Sequence, residues 1–228
     1  MIRPFACALA ALMATAAPAL AQDAGGWAFE VGAATDYRSK EASKSAGDPY
    51  AYAEAEWANG SGLLYVAGAA ATVHQSFGSD LELDAIVGVR PQLWGYDLDL
   101  NVKARTYPDA NPGADDDMIE YTADVARSIG PADGRVRVQH SPDNAGSGRS
   151  FTWVEARAGW RFTPKLKASA ALGRREQVNN VDYTGWNVGV TYDLTRNLDL
   201  DVRWHDTDAD TFGEAYEGAL VARISASF

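Results

Sequence analysis

His140, Ser141 and Asp143 bring the residue types of a hydrolytic triad within four positions of one another. A serine nucleophile needs an imidazole within hydrogen-bond reach, and the imidazole needs a third group to orient it. If the stretch is a strand, His140 and Ser141 point to opposite faces and do not meet. Pro142 then reads as the start of a loop. His74 and Ser76 have matching parity but no fixed third group. The three histidines, His74, His140 and His205, fall on segments too far apart in the pattern below to share one zinc ion. Asp115-Asp116-Asp117 and Asp206-Thr207-Asp208-Ala209-Asp210 offer carboxylates to Ca²⁺, but Gly213 comes too late for an EF-hand loop. They read as solvated loops able to bridge to anionic lipopolysaccharide through divalent ions. No cofactor, resident metal site or catalytic residue is expected.

The other residues capable of chemistry are charges spaced two apart. Asp97, Asp99, Asn101, Lys103 and Arg105 alternate with Leu98, Leu100, Val102 and Ala104. A strand sends alternate side chains to opposite faces, so this segment has one apolar and one charged face. Such a segment recurs about every 17 residues after residue 26. The pattern predicts twelve strands at 26–37, 50–57, 63–73, 81–90, 94–106, 118–128, 135–140, 151–162, 165–174, 183–194, 198–205 and 217–228. Tight turns such as Asn59-Gly60-Ser61-Gly62, Pro91-Gln92 and Thr163-Pro164 alternate with longer loops at 38–49, 74–80, 107–117, 141–150, 175–182 and 206–216. A soluble sandwich has no reason to sort its connections in this way. An up-and-down membrane barrel does, with short turns at one end and long loops at the other.

The amino terminus agrees. Met1-Ile2-Arg3, an apolar run and Ala19-Leu20-Ala21 form a secretory signal cut after Ala21, leaving 22–228 as one all-β domain. The only cysteine, Cys7, leaves with the signal. A net charge of −11 argues against a nucleic-acid partner. Trp27, Trp57, Trp94, Tyr96, Trp160, Phe162, Tyr192 and Phe228 fall near the short-turn ends, and Tyr37, Tyr107, Tyr121, Tyr183, Trp186 and Trp204 near the long-loop ends. Amphipathic rings so placed predict two interfacial girdles. The final strand closes on Phe228, the kind of signal read by the outer-membrane barrel assembly machinery. The expected location is the bacterial outer membrane.

Several short motifs carry a resemblance. Thr35-Asp36-Tyr37-Arg38, Thr106-Tyr107-Pro108, His140-Ser141-Pro142-Asp143 and Trp186-Asn187-Val188-Gly189-Val190, running on to Leu200-Asp201-Val202-Arg203-Trp204, are similar to stretches of the TorF-type porin family. The resemblance spans nearly the whole chain after the signal and implies a barrel and a pore. It departs in the first loop, where Ser39-Lys40-Glu41 stands in place of an expected aromatic-Arg-Gly. It names no substrate.

With the apolar phase turned to lipid, Glu30, Glu54, Glu56, Glu82, Asp84, Asp97 and Asp99 line one arc of the lumen. Arg135, Arg137, Arg157, Arg161, Lys167 and Arg174 line the opposite arc, with Glu155 among them. In a ring of roughly 12 Å radius, opposed rows of acid and base set up a transverse field suited to small polar solutes. The expected activity is passive diffusion of such solutes. The alternatives are arcs that meet and plug the barrel, or a lipid-modifying enzyme. The loops, short and without an extra domain, are expected to supply no constriction, which leaves that role to wall side chains. Changing Arg135, Arg137 and Arg157 together to Glu should move the reversal potential in a salt gradient toward cation preference; an unmoved potential removes them from the pore.

Overall fold

The computed structural model describes residues 25–146 and 149–228, with Gln75 described by its backbone alone. The predicted signal, 1–21, lies outside the described residues. Twelve long antiparallel strands follow one another: β1 Gly26–Ala34, β2 Tyr50–Ala58, β3 Leu64–Ser76, β4 Ser79–Val89, β5 Tyr96–Thr106, β6 Asp117–Ile129, β7 Ala132–Ser141, β8 Phe151–Thr163, β9 Leu166–Gln177, β10 Tyr183–Asp193, β11 Leu198–Thr207 and β12 Ala219–Ser227. Each pairs with the next, and β12 pairs back onto β1, so the sheet closes. That seam has the shortest register among the pairings of the twelve long strands, five residue pairs from Glu30↔Ser227 to Ala34↔Arg223. Two backbone hydrogen bonds between Phe29 and Phe228 extend it.

Burial decides between sandwich and membrane barrel. Val87, Val136, Leu172 and Val188 stand exposed on the outer face. Glu82, Glu120, Asp124, Glu155 and Asp201 are buried on the inner face. Water-soluble proteins bury the apolar phase; this barrel turns it outward, as hydrocarbon requires.

Both Gly26 and Phe228 lie at the short-turn end, where Trp27, Trp94, Trp160 and Phe162 stand outward and exposed. The far end differs from expectation in two ways. Segment 74–80 is no loop: β3 and β4 run on to a tight turn at Phe77-Gly78, with a register shift between Thr72 and Ser76. Tyr107 and Tyr183 do not join Tyr121, Trp186 and Trp204 on the outer face. They turn inward with Val73, Met118, Phe151 and Trp153 into an apolar cluster, against which Tyr37 packs. The charged lumen wall cannot cover these rings, so they pack on one another at the mouth.

Gly173 permits that packing. A Cβ there would lie 2.1 Å from the Trp153 ring. Gly173→Ala should therefore cost about 1–3 kcal/mol, a fall of several degrees in unfolding temperature. Gly68→Ala, where the nearest atom is a carbonyl oxygen 3.8 Å away, should leave the temperature unchanged. Heat-modifiable gel migration reads both.

Candidate functional site

Strand register fixes which side chains share the lumen. Each expected acidic residue occupies the inward phase, but most have a local partner. Arg90 holds Glu56 through both carboxylate oxygens, at 2.5 and 2.7 Å, and Asp99 at 3.0 Å. Arg105 binds both oxygens of Asp84 at 2.7 Å. Asp97 accepts from Gln92 at 2.8 Å, and Glu30 from the Tyr52 hydroxyl at 2.5 Å. Glu54, directly in register with Glu30, makes no ion pair among the described residues. On the basic side Arg135 pairs with Glu155 at 2.5 Å, and Arg137 with both oxygens of Asp124 at 2.7 and 2.5 Å. Lys167 meets Asp133 at 2.7 Å, and Arg161 meets Asp193 at 3.3 Å. The arcs thus neutralise locally, between strands that are adjacent or one apart, and do not reach across to each other.

Arg174 is a correction. It stands in register with Val154 on the outer face, where it donates to Thr184 Oγ1. Arg175 is the inward residue, its guanidinium 4.4 Å from the centroid of Phe151. Lys103 and Arg105, in the same phase as Asp97 and Asp99, interrupt the acidic arc. His140 faces outward beside Thr152, whereas Ser141 is buried inside and donates to the carbonyl of Asp143. The two cannot work as nucleophile and base. Among the described residues, no group of three or more His, Cys, Asp or Glu is placed to hold a metal ion.

The outer half of the lumen is filled by the first loop, 35–49, against the expectation that the loops supply no constriction. Asp36 organises it. Its buried carboxylate accepts from Ser43 Oγ at 2.6 Å and Ser45 Oγ at 2.9 Å, and pairs with Arg38. These contacts fold a small hairpin, Arg38–Ser39 against Ala42–Ser43. Its tip, Lys40-Glu41, has φ of 52° and 69°. Two left-handed residues suit a hairpin turn, but in side chains other than Gly or Asn they cost about 1 kcal/mol each. Contacts across the barrel hold them. Lys40 Nζ lies 2.7 Å from Glu120 on β6, and the Lys40 carbonyl accepts from the Tyr183 hydroxyl on β10 at 2.7 Å. Glu41 accepts from Asn187 on β10 and pairs with His205 on β11, both at 2.6 Å. The tip therefore bridges strands that are not neighbours.

Lys44 pairs with Glu82, which also accepts from the Tyr37 and Tyr107 hydroxyls at 2.8 Å and pairs with Arg105 at 3.0 Å. Glu82 thus anchors the loop; it does not face an open pore. Lys40, Glu41, Lys44, Glu120, Asn187 and His205 form a closure that strand reading missed. The one available signal was the departure at Ser39-Lys40-Glu41.

Toward the short-turn end the lumen stays open. One cavity, of about 690 Å³, is lined by Arg90, Asp97, Asp99, Asp124 and Arg135. A second, of about 350 Å³, lies among Asp133, Arg135, Arg157, Arg161 and Lys167. Closure at one end and charged space at the other define a porin-like β-barrel with a loop folded into its lumen.

The comparisons place the chain further. A family model described as bacterial protein of unknown function (Gcw_chp) matches residues 21–228, and the chain belongs to that family. No curated protein matches it significantly. Its fold is similar to the NanC porin, with TM-score 0.58, 9% identity, and 88% of this chain and 98% of that one covered. It is also similar to an outer-membrane channel from Pseudomonas putida F1, with TM-score 0.56, 13% identity, and 90% and 96% covered.

Proton linkage gives the closure a sign. Burial, with other cations close by, lowers the Lys40 ammonium to about 7 and that of Lys44 to about 8, from 10.5. An undocked loop keeps both protonated up to about pH 10, while the docked loop sheds protons from neutrality upward. Docking therefore strengthens as pH rises from 7 toward 10, and these groups give it no pH dependence below 7. Open probability in a planar bilayer should fall across that window in the wild type and stay flat in Lys40→Met/Lys44→Met.

Proposed function

We propose that the protein is an outer-membrane porin for passive diffusion of small hydrophilic solutes, closed at rest by its first loop. The observation that carries this reading is the lumen. A ring with an apolar exterior encloses charged, open space at the short-turn end and a docked loop at the other. A barrel that served only as an anchor would gain nothing from charged cavities. The motifs similar to TorF-type porins and the two similar structures, named as a porin and an outer-membrane channel, support the same class.

On this reading an amino-terminal signal exports the chain. The barrel assembly machinery then recognises the last strand through Phe228, which points outward beside Phe29. The short-turn end faces the periplasm, and the loops face lipopolysaccharide. The partners are outer-membrane lipid and the permeating solutes; no catalytic step is assigned. Glu30, Glu54, Asp97 and Asp99 on one wall, and Arg157, Arg161 and Lys167 on the other, orient dipolar solutes in the inner half.

The test replaces the tip by a turn that needs no anchors. Lys40→Asn/Glu41→Gly keeps the hairpin and relieves its backbone strain, but removes the contacts to Glu120, Asn187 and His205. In planar bilayers the variant should give discrete steps several-fold more frequent than the wild type. A folded variant as silent as the wild type means a plugged structural barrel.

A further inference from the structure

Beneath the docked loop, small residues on adjacent strands leave a shallow floor. Gly159, Ser169 and Gly189 lie side by side in register on β8, β9 and β10. Two guanidiniums reach over it. Arg157 Nη2 and Arg203 Nη2 each donate to Ser169 Oγ at 3.0 Å. One hydroxyl oxygen thus serves two cations.

The two arginines differ in what else they hold. Arg203 pairs with Asp201 at 3.1 Å and donates to Asn187 at 2.6 Å. Arg157 makes no ion pair among the described residues, and its Nε is buried without a partner. Arg135, its register neighbour on β7, also has a buried Nε with no partner, though its other end holds Glu155. Both line the cavity of about 350 Å³ together with Arg161 and Lys167, where Asp133 is the one carboxylate. That volume falls in the range of small-ligand pockets. Buried guanidinium N–H groups without acceptors are costly. An oxyanion in the cavity would supply the carboxylate or phosphate that Arg157 lacks, because its oxygens match the planar fork of a guanidinium.

We propose that this cavity is a binding site for a small oxyanion, a solute bearing a carboxylate or phosphate group, held by Arg157 with Arg135 and Lys167 beside it. The proposal rests on the porin reading for its route of access and adds a solute class to it. It makes the basic wall a place where a permeating anion pauses, beyond its part in the transverse field.

Binding is measured apart from current. The refolded mature protein in detergent is titrated by calorimetry with inorganic phosphate, succinate and glucose at fixed ionic strength. Saturable, one-to-one binding of phosphate or succinate is expected, with none of glucose. Arg157→Gln should weaken it at least tenfold. Ser169→Asp should abolish it by giving Arg157 and Arg203, which both donate to Ser169 Oγ, a carboxylate of their own in competition with the anion; it decides the matter even if Arg157→Gln fails to fold. The absence of saturable binding, equal binding of glucose, or binding untouched by Ser169→Asp overturns the site. Bilayer recordings separate the two readings: current without anion binding removes the site alone, and anion binding without current removes the channel alone.

Discussion

Hydrocarbon offers no partner to a peptide N–H or C=O, so a strand crossing it must be paired on both sides. Everything else in this molecule follows from that constraint. A closed ring of antiparallel strands satisfies it, and a ring has one inside and one outside. Alternation then sends every second residue to each. The apolar residues go outward, and the charges have nowhere to go but the lumen.

Crowding charge into a narrow lumen creates a second problem, which the chain solves at short range. Most lumen acids find a partner on their own or a nearby strand, as Asp124 finds Arg137 and Asp84 finds Arg105. Few charges are left over to reach across the lumen. What does cross it is a loop, whose tip supplies both signs in adjacent residues: Lys40 for the acid on one wall, and Glu41 for the donors on another. Buried ion pairs of this kind contribute little net stability, but breaking one leaves a stranded charge that costs several kcal/mol. They therefore act more as a specification of one docked position than as glue.

The barrel was legible in the sequence because period-two alternation survives any detail of loop or register. All twelve strands follow from it, most ending within a few residues of the expected boundaries. Where alternation weakens, the reading fails. Arg174 and Arg175 are adjacent, so one must face each way; the phase of Leu166, Ala168, Ala170 and Leu172 puts Arg174 outside. Lys103 and Arg105 were visible in the same phase as Asp97 and Asp99 and belonged on the acidic arc from the start. The inward fold of the first loop had no periodic signature at all. It depends on Asp36 gathering Ser43, Ser45 and Arg38, and on Glu120, Asn187 and His205 meeting the tip from strands distant in sequence. Tyr107 and Tyr183 were misplaced for a related reason: an aromatic at a strand end suits either an interface or a mouth.

The seam between β1 and β12 bears on the order of events in the cell. The strand made first has no second partner until the strand made last is present, and the register that joins them is the shortest in the ring. Every other hairpin could form as the chain emerges; ring closure cannot. Until then both edges are open to pairing with another chain. A chain caught before closure is therefore open to pairing edge to edge with a second copy of itself, a hazard that the finished ring removes.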